Sequence, residues 1–302
     1  VSGSVGNTST KEMLYAVLSQ KYKTHKTQGN LNNELGVPLT LLAMPEDTEA
    51  AVIEMGISDF GEMSRLAQMV QPTVCVLTII GCCHLENLGD RNGVLKAKTE
   101  MFKFASENAE FVLNGDDDKL STVMEVNGKK PIFFGLNRKN DYYAENIQNN
   151  ADGGVLADLC FGDTKLSVKI PAIGSYMVSN ALAAVAVGKL CGLNDEQLVK
   201  GVEAYKTVGS RANVINTEDY KIIDDCYNAN PTSVMASIDT LVNFSGRTVA
   251  ILGDMKELGT NELEMHRKTG EHAKEKGVDL VIAVGPLAKA LAEGSGGKWY
   301  AD

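Results

Sequence analysis

The sequence contains no run of apolar residues approaching the roughly 18 that a membrane-spanning helix needs. Its first residues also lack the basic stretch followed by an apolar stretch that is typical of a secretory signal. Basic residues are in the minority, 29 against 39 acidic ones, and the formal net charge is -10. Because such a chain repels phosphate backbones and anionic lipid surfaces, nucleic acid and membranes are not expected partners. We expect a cytoplasmic protein.

Paired cysteines are also missing, because the six cysteines form no C-x-x-C motif. They are Cys75, Cys82, Cys83, Cys160, Cys191 and Cys226. A disulfide framework and a zinc ribbon are therefore not expected, and we interpret the cysteines as reduced thiols. Cys82, Cys83 and His84 are adjacent, but neighbours on an extended segment point to opposite faces and could not all reach one metal ion.

Short apolar runs that end in Gly, Asp or Asn alternate with helical patterns along the chain. The runs cover residues 51–56, 74–81, 111–117, 220–228, 247–255 and 279–285. We interpret them as buried parallel strands, and the alternation predicts a doubly wound, mostly parallel α/β sheet. Between about 126 and 172 shorter strand-like pieces, separated by polar turns, predict a small antiparallel insert.

At 302 residues the chain exceeds the usual size of one domain. Strand and helix patterns restart after about 205–210, which predicts a first domain over 1–207 and a smaller Rossmann-like α/β domain over 208–302. The chain begins where a strand should end and stops soon after another is due. We therefore expect a piece of a longer protein, with the second domain truncated.

The opening segment "GSVGNTSTKE" has the pattern of a phosphate-binding loop. Gly3 and Gly6 allow the backbone to turn around a phosphate, and a helix from about Thr8 offers N–H groups and the positive end of its dipole. The hydroxyl of Thr8 or Ser9 could bind Mg²⁺. Asn7 stands where such loops carry lysine. The alternative is a tight turn before a helix with no ligand.

Six further segments follow in an order and spacing that resemble the bacterial Mur ligases. They are "GNLNNELGVPLTLL" (29–42), "IEMGISDFGEM" (53–63), "GCCHLENLG" (81–89), "KAKTEMF" (96–102), "DDCYNANPTS" (224–233) and "LGDMKELG" (252–259). The resemblance covers nearly the whole chain, as the family's central ATP-binding domain and most of its C-terminal domain. The resemblance implies that this sequence does not include the family's N-terminal domain, which binds the UDP end of the substrate.

The resemblance implies an ATP-dependent amide ligase of peptidoglycan precursor synthesis that uses Mg²⁺. The "YNANP" and "LGDM-ELG" sequences are similar to those of members that join D-alanyl-D-alanine to UDP-N-acetylmuramoyl-tripeptide. ATP would phosphorylate the tripeptide carboxylate, and the amine of the dipeptide would attack the acyl phosphate. The family also implies a monomer that binds only small molecules.

The resemblance assigns residues to the site, and each also has a simpler explanation. Nucleotide contacts are implied for Gly3, Ser4, Gly6, Asn7, Thr8, Ser9, Asn180, Arg211 and Asp225. Magnesium ligands are implied at Thr8, Glu54, His84 and Lys98, of which the last three are also the implied catalytic residues. Lys98 matches a lysine that the family carbamylates, and this needs an unprotonated amine. The simpler explanations are a solvated Glu54, a structural His84, a surface Lys98, a helix N-cap at Asn180, and surface charges at Arg211 and Asp225.

Asn7 leaves three hypotheses open, because an amide can donate to a phosphate but carries no charge. Ile79 and Met177 also replace asparagines that are usual in the family. The chain could be a ligase whose missing charge comes from elsewhere, with Lys11, one helical turn further on, as a candidate. It could instead be a non-catalytic relative that binds nucleotide or cell-wall precursors, or an inactive fragment.

Overall fold

The computed structural model describes residues 1–150 and 153–302, which form two compact units. The first unit comprises Val1–Gly81 and Arg91–Val208, and the second comprises Cys82–Asp90 and Gly209–Asp302. The segment Cys82–Asp90 therefore belongs with the later part of the chain, although the sequence pattern placed it within the first domain.

The first unit is built on a mostly parallel sheet. Its strands are β1 (Thr24–Lys26), β2 (Ala50–Val52), β3 (Val74–Leu77), β4 (Glu110–Asn114), β5 (Ile132–Phe134), β6 (Tyr142–Asn149), β7 (Val155–Phe161) and β8 (Thr164–Ile170). Six of them form a sheet in the order β3-β4-β5-β6-β7-β8, and β1 pairs with β2 in parallel. The pairs from β3 to β6 are parallel, while β7 is antiparallel to both β6 and β8. The predicted α/β class is confirmed.

The prediction of a small antiparallel insert over about 126–172 is confirmed for β6 to β8, where β7 is antiparallel to both neighbours, but not for the start of this range. Strand β5 pairs in parallel with β4, and β6, β7 and β8 continue the main sheet rather than forming one of their own. Only the last two pairings are antiparallel, and along β8 buried and exposed residues alternate, as expected for a half-buried strand. Residues 151 and 152, which fell within this prediction, lie outside the described residues.

The helices cover the sheets. They are α1 (Asn7–Leu18), α2 (Gly36–Leu42), α3 (Glu62–Val70), α4 (Leu85–Leu88), α5 (Arg91–Thr99), α6 (Tyr176–Leu190), α7 (Asp195–Glu203), α8 (Pro231–Leu241), α9 (Glu262–Glu275) and α10 (Ala288–Ser295). Helix α6 is apolar on all sides and almost wholly buried, as such helices must be. It packs with α1 in the core of the first unit. In the described part of the chain, every helix falls short of the length and apolar character that crossing a bilayer requires.

The second unit has two small sheets. Strands β11 (Val249–Gly253), β12 (Leu280–Val284) and β13 (Lys298–Tyr300) are parallel, whereas β9 (Asn213–Asn216) and β10 (Lys221–Asp224) form an antiparallel pair. The prediction of a buried parallel strand over 220–228 is therefore wrong. Residues 217–220 join β9 to β10, and this connection is too short for the crossover that parallel pairing needs.

The first two residues extend the sheet between β2 and β3. The backbone carbonyl of Val1 accepts from Met55 at 2.9 Å. Ser2 donates to the Val76 carbonyl at 3.0 Å and accepts from Thr78 at 3.1 Å. The opening loop therefore leaves the sheet beside the carboxyl ends of β2 and β3, where α/β proteins bind ligands.

Candidate functional site

The opening loop, residues 3–6, is folded tightly against the end of β3. A Cβ atom on Gly3 would lie 1.9 Å from Thr78 Oγ1, so only glycine fits there. The same hydroxyl donates to the Val5 carbonyl at 2.6 Å, and the Ser4 N–H donates to the Ile79 carbonyl at 2.8 Å. Gly6 has a φ of 83°, a left-handed conformation that glycine adopts without strain, and α1 begins immediately after it.

The first residues of α1 converge on the carboxylate of Glu54. Helix α1 starts at Asn7, one residue before the predicted start. Asn7 Nδ2 and Thr8 Oγ1 each donate to Glu54 Oε1 at 2.9 Å. Asn32 Nδ2 donates to the same oxygen at 2.8 Å. Three side chains that are distant from Glu54 in the sequence thus donate to one oxygen of its carboxylate.

Glu54 is 1% exposed, so the interpretation of a solvated strand-end glutamate is wrong. Its second oxygen, Oε2, is buried and accepts no hydrogen bond from any residue that the structure describes, and it lies 3.5 Å from Lys11 Nζ. An unsatisfied carboxylate oxygen beside a threonine hydroxyl fits a divalent cation such as Mg²⁺. The described residues contain no cluster of three His, Cys, Asp or Glu residues able to hold a metal. That finding is compatible with Mg²⁺, which commonly binds one or two carboxylates together with substrate phosphates.

Asn180 lies beneath the loop rather than at the start of a helix. It is the fifth residue of α6, so the N-cap interpretation is wrong. Its Oδ1 accepts from Thr10 Oγ1 at 3.1 Å, and its Nδ2 lies 3.3 Å from the sulfur of Met177. Asn180 is 5% exposed. Its contact with the nucleotide stays a prediction.

Lys98 lies near the end of α5 and is 2% exposed, so it is not a surface lysine. A buried position is what carbamylation of its amine would require, and that modification stays a prediction. Ser4 and Ser9 are both half-buried, and Ser4 Oγ donates to the Gly81 carbonyl at 3.4 Å. Their contacts with phosphate also stay predictions.

In the second unit, His84 contacts the loop that joins β11 to α9. Its Nδ1 lies 2.5 Å from Glu257 Oε2, and the next residue, Leu85, donates its N–H to the Glu257 carbonyl at 3.0 Å. Because an ionised carboxylate can only accept, a neutral His84 ring in this contact carries its hydrogen on Nδ1. Nε2 of the neutral ring then carries the lone pair that a metal would need. The role of His84 in metal binding stays a prediction.

Arg211 and Asp225 also lie in the second unit, where Arg211 precedes β9 and Asp225 follows β10. The guanidinium of Arg211 stacks on the ring of Tyr227, 4.1 Å from its centroid. Asp225 is half-buried and accepts from the Ala212 N–H at 3.0 Å and from the Ser237 hydroxyl. Burial raises the pKa of Asp225, and these hydrogen bonds oppose the rise. The contacts of Arg211 and Asp225 with the nucleotide stay predictions.

The structure thus brings Asn7, Thr8 and Glu54 into direct contact. Asn32 and Glu257 are contact residues to which sequence reasoning gave no role. Both lie in segments that carried the family resemblance, and the resemblance was the only signal that could have pointed to them. Neither residue type nor spacing reveals which residues come into contact in the folded chain.

A glycine turn leads from a mostly parallel sheet into α1, and a buried carboxylate lies at the start of that helix. This arrangement defines an α/β protein with a phosphate-loop type of site. Residues 1–188 match the family described as Mur ligase middle domain, and residues 210–300 match the family described as Mur ligase, glutamate ligase domain. The chain belongs to the Mur ligase family.

Its relatives include UDP-N-acetylmuramoyl-tripeptide–D-alanyl-D-alanine ligases. The enzyme of Bacillus subtilis (strain 168) is 37% identical, over 98% of this chain and 64% of its own length. That of Escherichia coli (strain K12) is 35% identical, over 100% of this chain and 68% of its own. The chain therefore spans about two thirds of the length of these relatives.

Solved structures of MurF proteins have the same fold. MurF from Acinetobacter baumannii superimposes with a TM-score of 0.93 at 34% identity, over 99% of this chain and 65% of that one. MurF ligase from Thermotoga maritima, solved in complex with ADP, gives a TM-score of 0.88 at 33% identity, over 96% and 67%.

Proposed function

We propose that this chain is the ATP-binding and C-terminal part of an ATP-dependent ligase that joins D-alanyl-D-alanine to UDP-N-acetylmuramoyl-tripeptide in peptidoglycan precursor synthesis. The observation that carries the proposal is the buried Glu54 carboxylate. It accepts from Thr8 at the start of α1, and within the described part of the chain its other oxygen has no hydrogen bond. The names of the relatives, and the ADP in the Thermotoga maritima complex, support the proposed substrates.

The proposed reaction is phosphoryl transfer followed by acyl transfer. The γ-phosphate of ATP passes to the tripeptide carboxylate and ADP leaves; the dipeptide amine then attacks the acyl phosphate, forming the amide and releasing phosphate. The first N–H groups of α1 have no carbonyl partner within the helix and are available to phosphate oxygens. Thr8 and Glu54 would hold Mg²⁺, whose charge offsets that of the transferring phosphoryl group. The tight loop around Gly3 orients these groups before the substrate arrives.

The first experiment is a titration with ATP and Mg²⁺, followed by thermal unfolding. Ligand at about 100 times its dissociation constant should stabilise the protein by about 2.7 kcal/mol. Glu54→Gln removes the charge at nearly constant size and should abolish the part of the stabilisation that depends on Mg²⁺. Glu107→Gln, at an exposed position, is the matched control and should leave it unchanged.

The second experiment measures phosphate release with the tripeptide substrate and D-alanyl-D-alanine. Release that needs both substrates supports the ligase. ATP binding without release would instead favour a non-catalytic relative that binds nucleotide. Absence of any stabilisation by ATP and Mg²⁺ would contradict the proposal.

A further inference from the structure

The proposed site lacks the positive charge that its loop would normally carry, because Asn7 is neutral. The Asn7 amide is already engaged, since its Nδ2 donates to Glu54 Oε1. An uncompensated carboxylate at this position would repel a triphosphate, and the repulsion is strong where water is excluded. Under the proposed function Mg²⁺ offsets Glu54 only once it is bound, so a cation of the protein itself would have to offset the carboxylate beforehand.

Lys11 is placed to provide that cation. It follows Asn7 by four residues on α1, so both side chains lie on the same face of the helix. The lysine is 1% exposed, and its Nζ lies 3.5 Å from Glu54 Oε2, the oxygen that has no hydrogen bond. Asn7 therefore contacts one oxygen of the Glu54 carboxylate, and Lys11 lies beside the other.

Glu12, the second carboxylate beside Lys11, has another lysine as its partner. Lys11 Nζ lies 3.1 Å from Glu12 Oε1, while Lys26 forms an ion pair with Glu12 Oε2. Lys26 also lies over the ring of Tyr15, 4.2 Å from its centroid. Two lysines thus face two glutamates. Because Lys26 forms an ion pair with Glu12, the charge of Lys11 is available to balance the charge of Glu54.

We propose that Lys11 takes over the electrostatic role of the missing loop lysine. Lys11 is a positioning residue, because it acts through Glu54 and does not touch the phosphate itself. It neutralises the carboxylate at Oε2 and keeps Oε1 turned toward Asn7, Thr8 and Asn32. A neutral residue in the loop is then compatible with binding of a nucleoside triphosphate and a divalent cation. This inference rests on the proposed function of the same site.

A double-mutant cycle tests it, using the complete chain and the affinity for ATP with Mg²⁺ measured by calorimetry. Lys11→Met should weaken binding at least about tenfold when residue 7 is asparagine. In an Asn7→Lys background, where the loop carries its own charge, the same change should weaken binding less than about threefold. Lys26→Met, which removes the other amine from Glu12, should not show this dependence on residue 7.

The outcomes separate the inference from the proposed function. An equal loss on Lys11→Met in both backgrounds would mean a purely structural role and would overturn the inference. Absence of ATP binding in the unaltered chain and in Asn7→Lys alike would count against the proposed function itself. Lys11→Gln and Lys11→Arg are measured beside Lys11→Met as better tolerated variants. Arg keeps the charge and should retain more affinity than Gln, and the opposite order would also overturn the inference.

Discussion

Asn32 donates a hydrogen bond of 2.8 Å to Glu54 Oε1, although the two residues are 22 positions apart in the sequence. The approach is enforced by the backbone, since the Asn32 carbonyl accepts from the Gly56 N–H at 2.8 Å. A Cβ on residue 56 would lie 3.0 Å from the Asn32 amide, so a larger residue there would press on that side chain. These contacts hold the segment that precedes α2 against the Glu54 carboxylate.

Asn32→Asp is expected to lower stability in the absence of Mg²⁺ by about 2 kcal/mol, because it sets a second carboxylate against a buried one. Mg²⁺ should recover part of the loss by binding between the two carboxylates. Thermal unfolding with and without Mg²⁺ measures both effects. Asn33→Asp is the control, because Asn33 is exposed and its Oδ1 accepts from the Gly36 N–H at 2.8 Å, which aspartate can also do. Equal behaviour of the two variants would contradict the expectation.

Thr8→Val should weaken binding of ATP with Mg²⁺ at least about tenfold, because it removes the hydroxyl that contacts Glu54 while keeping the shape of the side chain. Thr8→Ser keeps the hydroxyl and should bind within about threefold of the unaltered chain. Calorimetric titration of the two variants checks this. A valine variant that binds as well as the serine variant would remove Thr8 from the proposed site.

Glu257 is expected to set the tautomer of His84. In the unaltered protein the neutral ring should carry its hydrogen on Nδ1, because that atom faces a carboxylate. Glu257→Leu should shift the ring toward the Nε2–H tautomer, whereas Glu257→Gln can still accept through its amide oxygen and should preserve the original one. The nitrogen chemical shifts of the His84 ring report the tautomer directly. Unchanged shifts in Glu257→Leu would show that Glu257 does not position the ring.

Cys226 should become more reactive when Asp224 is neutralised. The Cys226 thiol lies 3.1 Å from Asp224 Oδ1, and this hydrogen bond and the aspartate charge raise the thiol pKa. Reaction needs the thiolate, so Asp224→Asn should speed alkylation at every pH below that pKa. The rate for each cysteine is followed by mass spectrometry of peptides.

Cys75 is the internal control for this measurement. Burial raises the pKa of Cys75 to about 12, so it should stay unmodified in the folded protein in both variants. Equal rates for Cys226 with and without Asp224 would contradict the predicted coupling.

Much of the first unit was predictable because its signals are local. The glycine spacing of the opening loop, the start of α1 and the apolar run that ends at Glu54 each depend on residues close together in the sequence. The alternation of strands and helices likewise predicted the α/β class. These features follow from backbone sterics and from burial of one face, which a short stretch of sequence expresses by itself.

The sequence by itself therefore determined the class of fold, the loop that opens it and the chemistry available there. Tertiary structure alone decided that β10 pairs with β9, that Cys82–Asp90 packs with the second unit, and that Lys11 and Asn32 both meet Glu54. The reason is physical. The pairing partner of a strand and the charge that neutralises a carboxylate are supplied by segments that meet only once the chain has folded. The types of the residues do not reveal which segments will meet.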